Sequence, residues 1–236
     1  MQLFFSQNIS DNLITLDEEE SKHCTKVLRK KVGDSIEVVD GNGNYYKAII
    51  AEDNFKSVTA SIQATIKNWK VNNYKVLIAM ALSKNPDRFE WFCEKVTEIG
   101  VDEIFPVVTE RTEKRQFKPE RIQKIMLSAM KQSGKALLPK LHDVVTFSEL
   151  MQQAENYNNY QKFIGWCETG EEKHLKHLYE KGCNAFVLIG PEGDFTHEEV
   201  QNAVAKHFQP VSLGNSRLRM ETAGVVACHI VNLGNE

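Results

Sequence analysis

The sequence predicts a mixed α/β chain in two unlike parts, a β-rich unit over residues 1–67 and an alternating strand–helix unit over 74–236. Three observations carry this. Short segments around Gly41-Asn42-Gly43 alternate apolar and polar residues, the period of a half-buried strand. Beyond residue 74, near-continuous apolar runs are separated by stretches with apolar residues at helical spacing. Late in the chain, two strand–loop–helix units follow one another with glycine in each loop.

In chain order, residues 2–6 and 12–16 read as short strands. Asp17 caps a helix with Glu20 at its third position, and the acidic start and basic end extend it to about Arg29. Segments 35–40 and 44–50 form a hairpin about the Gly41–Gly43 turn; with no third glycine and no helix behind it, this is not a dinucleotide motif. Residues 57–66 add a strand, with Val58, Ala60, Ile62 and Ala64 on one face.

The polar stretch 67–73 around Trp69 marks the boundary. Residues 74–82 then read as a central parallel strand, buried on both faces. Asn85-Pro86 starts a helix that Gly100 ends, and its Phe89, Phe92, Cys93, Val96 and Ile99 are core residues. A strand at 103–108 and a helix at 121–133 follow, the helix with Ile122, Ile125, Met126 and Met130 on one face. Strands at 160–166, 185–189 and 209–213, with helices near 146–155, 173–181 and 197–207, complete a mainly parallel sheet.

Composition narrows the function classes. No apolar run reaches the roughly 18 residues of a membrane span, and the first residues lack a signal peptide's apolar core, so a cytoplasmic protein is expected. Cys24, Cys93, Cys167, Cys183 and Cys228 form no close pair, and His174 and His177 find no third ligand nearby. Neither disulfides nor a metal site is expected. The net charge is −3, a poor sign for nucleic-acid binding, yet cations cluster at Lys22, Lys26, Arg29, Lys30 and Lys31. A second cluster spans Arg111, Lys114, Arg115, Lys118, Arg121 and Lys124. Each fits a solvated face or a phosphate-binding patch.

The chemistry concentrates in residues 211–224 and 186–199. In the first, a strand turns at Gly214-Asn215 into a loop carrying Arg217 and Arg219, and an apolar helix follows from Glu221. The second runs from an apolar strand into Gly190-Pro191-Glu192-Gly193-Asp194-Phe195, then a capping box from Thr196 to Glu199. Both loops are expected at the carboxyl ends of parallel strands, where open α/β sheets bind ligands.

These stretches, LIGPEGDFT and SLGNSRLRMETA, resemble the cofactor loops of the SPOUT methyltransferases, and within them the RsmE family. HCTKVLRKKVGD, ALSKNPDRFEWFCEKVTEIGV and KQSGKALLP extend the resemblance over essentially the whole chain. Two positions depart from the family pattern: Asp194 stands where a second glycine is usual, and Gln2-Leu3 where an arginine is usual. The resemblance implies a PUA-like β-barrel, then a SPOUT domain with a C-terminal trefoil knot, and a homodimer. It also implies S-adenosylmethionine-dependent N3-methylation of a uridine in 16S ribosomal RNA of the small subunit.

On this reading Leu82, Ile189, Gly190, Glu192, Gly193, Leu213, Gly214, Ser216 and Leu218 hold the cofactor. Arg217 and Arg219 stabilise developing negative charge, and Glu221 is either a base or a first-turn carboxylate tied to an arginine. Lys22, His23, Lys26, Arg29, Arg111 and Arg115 contact RNA, with Lys22, Lys26 and Arg29 on one helix face. Three alternatives remain: a SPOUT enzyme acting on transfer RNA, a non-catalytic RNA-binding module, and a nucleotide-binding α/β protein without a P-loop lysine.

Overall fold

Turn and capping residues set the local structure of the first unit. The computed structural model describes residues 2–113, 117–166 and 172–236, so Lys114, Arg115 and Cys167 lie outside the described residues. The unit comprises Met1–Val71 together with Leu127–Leu138. Its elements are β1 (Leu3–Phe5), β2 (Ile9–Ser10), β3 (Leu13–Thr15), α1 (Glu18–Lys22), β4 (Ser35–Val39), β5 (Tyr45–Glu52) and β6 (Thr59–Ile66). The strands form one sheet in the order β1-β4-β5-β6-β3-β2, parallel only between β1 and β4. Among the described residues β2 does not pair back to β1, so the expected barrel is an open half-barrel. Phe4, Ile14, Leu16, Ile36, Val38, Ile50 and Val58 fill its interior.

The helix expected to reach Arg29 stops early. Asp17 does cap it, accepting from the Glu20 amide at 2.8 Å, but α1 ends at Lys22 and a π-helical turn covers His23–Val27. Arg29 has φ +55°, a left-handed conformation that no α-helix continues through. Lys22, Lys26 and Arg29 therefore do not share one α-helical face. The segment Leu127–Leu138 joins this unit through Met130 and Ala136, which pack with Leu3, Val39 and Tyr45. Trp69, from the polar boundary stretch, stacks on Tyr45 with ring centroids 4.7 Å apart.

The second unit is Asn72–Met126 with Pro139–Glu236. It contains β7 (Val76–Ala81), α2 (Pro86–Ile99), β8 (Glu103–Val108), the start of α3 (Pro119–Gln132), β9 (Lys140–Leu141), β10 (Val145–Thr146) and α4 (Phe147–Gln153). Beyond these come β11 (Tyr160–Gly165), β12 (Asn184–Ile189), α5 (His197–Ala205), β13 (Gln209–Val211) and α6 (Met220–Leu233). The sheet is parallel throughout, in the order β10-β8-β7-β12-β11-β13 with β9 on β8. Central β7 is buried at every residue, as its unbroken apolar run requires.

One expected helix is absent. Residues 173–181 hold only the 3-10 turn Leu175–His177. The Leu175 amide donates to Ser212 O and the Ser212 amide to Lys173 O, so this backbone is committed to the segment after β13. Close packing orders the rest. A Cβ on Gly224 would lie 2.5 Å from the Phe92 ring, so only glycine lets α6 approach α2 here. At the amino end of the sheet, burial pushes the Asp102 carboxyl up to about 6, although it accepts from the Val76 amide at 2.7 Å.

Candidate active site

Register decides where the two glycine loops go. Ile189 pairs with Met80 on one side and Gly165 on the other, and Gly165 pairs with Val211, so four strands end in one row. The segments that leave this row enclose a cleft of about 890 Å³. Ile189, Gly190, Glu192, Leu213, Gly214, Ser216 and Leu218 line it, and so do Arg217 and Arg219. Most of the residues named from sequence are thus brought together.

Three are not on the wall. Leu82, just beyond the end of β7, is a core residue, 2% exposed, and is not among the residues that line the cleft. Gly193 lies off the cleft wall, against the Arg111 side chain, whose Cδ would sit 3.5 Å from a Cβ there. Glu221 is 7% exposed and faces α2, with Oε1 3.8 Å from Arg88 Nε. Its arginine partner in this structure is Arg88, not Arg217 or Arg219.

The Gly190–Phe195 loop is firmly held. Arg111 donates to Gly193 O at 2.7 Å and to Phe195 O at 3.3 Å. Arg111, for which a charge run suggested an RNA contact, is exposed and lines the cleft while its guanidinium holds this loop. Glu192 Oε1 accepts from Ser83 Oγ at 2.8 Å and from the Lys84 amide at 3.2 Å. Asp194 takes φ +63° and its own carboxylate receives the Phe195 amide at 2.8 Å, so aspartate fills a glycine-like position by capping itself. The capping box then starts α5, with Thr196 and Glu199 satisfying each other's amides.

The Ser212–Arg219 loop is built differently. Ser212 Oγ accepts from the Gly214 amide at 3.2 Å, and Gly214 takes φ +138°, open to glycine and strained for other residues. Asn215, Ser216, Arg217 and Arg219 are exposed, and Arg219 caps α6 without a side-chain hydrogen bond. At the base of this loop His174 is disfavoured as a cation by desolvation, and its Nδ1 accepts from the Lys176 amide at 3.1 Å.

Sequence reasoning missed Arg88, Gly165, Trp166 and His197, which also line the cleft. Trp166 meets His197 edge to face at 5.8 Å. The ending of β11 in Gly165-Trp166 was a usable signal, since strand ends of an open parallel sheet face the ligand.

In the first unit, Lys22 pairs with Glu18 at 2.7 Å and His23 shares a hydrogen bond with Gln2 at 3.0 Å. The Lys26 ammonium sits 4.4 Å above the Phe55 ring, while Arg29 is exposed. Gln2, one of the two residues standing where the resemblance leads an arginine to be expected, is thus tied to His23.

Comparison with known proteins agrees with this geometry. Residues 70–232 match the RNA methyltransferase domain and residues 16–63 the RNA methyltransferase PUA domain. Ribosomal RNA small subunit methyltransferase E of Synechocystis is 32% identical over 96% of this chain and 75% of its own length. A probable rRNA-methyltransferase from Porphyromonas gingivalis superimposes with a TM-score of 0.92 at 35% identity, covering 100% of this chain and 98% of that one. The Neisseria gonorrhoeae methyltransferase E, solved bound to S-adenosyl methionine, gives 0.80 at 28% identity, over 97% of this chain and 95% of that one. Fold and cleft define an α/β RNA methyltransferase preceded by a PUA domain. The chain belongs to the ribosomal RNA small subunit methyltransferase E family.

Proposed function

We propose that this protein methylates N3 of a uridine in the 16S ribosomal RNA of the small subunit, using S-adenosylmethionine. The observation that carries the reading is the cleft between the two glycine loops, with Arg217 and Arg219 on its wall. Its volume of about 890 Å³ admits a nucleoside-sized cofactor. Ile189, Leu213 and Leu218 offer apolar walls, while Gly165, Gly190 and Gly214 leave the backbone open to a ligand. Those residues would hold the cofactor, which supplies an electrophilic methyl group when bound.

The chain's own part is positioning and electrostatics. Uridine N3 carries a proton, so negative charge develops on the base as that proton leaves. Arg217 and Arg219, exposed beside the amino end of α6, stabilise that charge. Glu221 sits beside Arg88, and the reading assigns it no step as a base. Lys22, His23, Lys26 and Arg29 of the first unit would contact the RNA, through exposed charge rather than a continuous helix face.

Two further features belong to this proposal. The trefoil threading is supported by the path after β13, which leaves the sheet edge and packs α6 on α2, β7 and β12. A homodimer is supported by the outer side of α6, where Val225, Val226 and Ile230 are only partly buried and Leu233 is 54% exposed. Light scattering that found an active monomer would overturn the dimer.

The function is tested by calorimetry and by RNA mapping. S-adenosylmethionine and S-adenosylhomocysteine should bind saturably and ATP should not. Deleting the gene should remove one N3-methyluridine from 16S ribosomal RNA. Loss of a transfer-RNA methylation instead would favour the other SPOUT substrate.

A further inference from the structure

One cation on the cleft wall belongs to neither glycine loop yet reaches a carboxylate in each of the two segments that bound the cleft. Arg88 lies in the first turn of α2 and is about one-third exposed. Its Nη1 is 3.5 Å from Glu192 Oε1, in the Gly190–Phe195 loop, and its Nε is 3.8 Å from Glu221 Oε1, in the first turn of α6. Glu192 is fixed from behind by Ser83 Oγ and the Lys84 amide. Glu221 cannot move far either, because α6 is held against α2 at Gly224.

The second observation concerns the other oxygen of Glu221. Oε2 is buried and finds no hydrogen-bond partner among the described residues. A buried, unsatisfied carboxylate oxygen is uncommon and costly, so such an atom marks a network that is not yet complete. Arg88 stands beside it with long contacts and N–H groups to spare. A planar guanidinium can make two parallel hydrogen bonds to one carboxylate and still reach a second.

We infer that Arg88 is a positioning residue for methyl transfer: it spans Glu192 and Glu221, and so sets the spacing of the two segments that bound the cofactor cleft. It closes onto Glu221, Oε2 included, when the cleft is filled. The inference rests on the cofactor reading above, but it assigns a role that neither glycine loop contains. A lysine keeps the charge and loses the span, which distinguishes this role from simple charge compensation.

The experiment measures S-adenosylmethionine affinity by calorimetry, kcat at saturating cofactor, and thermal stability, for Arg88→Lys, Arg88→Ala, Glu192→Gln and the double variant Arg88→Ala/Glu192→Gln. Arg88→Lys should weaken cofactor binding about tenfold while melting within a degree or two of the parent, and Arg88→Ala should lose at least as much. In the double variant the losses should not add, because both single changes break one bridge. Wild-type affinity and kcat in Arg88→Lys would overturn the inference, as would strictly additive losses. If Arg88→Ala does not fold, the lysine and glutamine variants still decide. Failure of the parent protein to bind the cofactor would overturn the functional reading instead, so the two failures are distinguishable.

Discussion

The two loops that bound the cleft have similar sequences in one respect, glycine after a strand, and opposite physics in another. The Gly190–Phe195 loop is held by Arg111, Ser83 and the Lys84 amide, and leads into a helix with a complete capping box. The Ser212–Arg219 loop has a single serine turn, a glycine at positive φ and four exposed residues, and leads into a helix without a side-chain cap. The contrast teaches that one wall of the cleft is preformed and the other is left free to meet its ligands. Groups held before binding lose little entropy when the ligand arrives, whereas exposed side chains keep their hydrogen-bonding capacity for it.

The strongest way to break this comparison is to remove the free arginines. Arg219→Ala and Arg217→Ala should each lower kcat by about a hundredfold, the size expected when a donor to developing charge is lost. Neither should shift the melting temperature, because exposed residues away from packed contacts change stability by less than about 0.5 kcal/mol. A large fall in stability in either variant would show that the second loop is as built-in as the first.

A paired substitution sharpens the contrast. A Cβ at Gly190 already lies 3.1 Å from the Phe195 ring and 3.2 Å from Asp194 Oδ1, so Gly190→Val should cost about 1–3 kcal/mol of stability through overpacking. A Cβ at Gly214 meets nothing within 4 Å. Gly214→Val meets no packing clash, but its φ of +138° should cost a valine about 1–3 kcal/mol of stability, and cofactor binding should weaken as well. Thermal melts with calorimetry check this: both variants should melt lower, and an unchanged melt for Gly190→Val would remove the packed character of the first loop.

The smallest effect comes from the start of α5. Thr196→Ala removes one half of the capping box and should cost about 1 kcal/mol, with cofactor affinity nearly unchanged. Chemical denaturation measures the first and calorimetry the second. A tenfold loss of affinity would mean that the preformed loop depends on the helix behind it.

Much of this was legible in the residues. The unbroken apolar run of β7, the Asn85-Pro86 start of α2, the capping box at Thr196 and the glycine loops are local signals, and each was read from a few neighbouring residues. Asp194 at positive φ was legible too, since aspartate tolerates that conformation. The failures had two origins. The charge pattern of residues 17–29 promised one helix, but the turn at Arg29 is set by backbone bonds such as Lys30 N to Cys24 O, which charge does not encode. The 173–181 helix was lost because its backbone pairs with residues near Ser212, almost forty positions away.

By itself, then, the amino-acid order determined most of the strands and helices, where glycine must turn, and which loops carry cations. Only the tertiary structure decided which side chains face the cleft. Arg111 was assigned from its neighbours' charge and is used 82 residues away on Gly193 O. Glu221 was weighed as a base and is turned onto α2, while Arg88, read only as part of a helix, lines the cleft beside it. The reason is physical. Helical and strand periodicity follow from contacts a few residues apart, whereas the direction of a charged side chain depends on register and packing between segments far apart in sequence, here 133 positions between Arg88 and Glu221 (221 − 88).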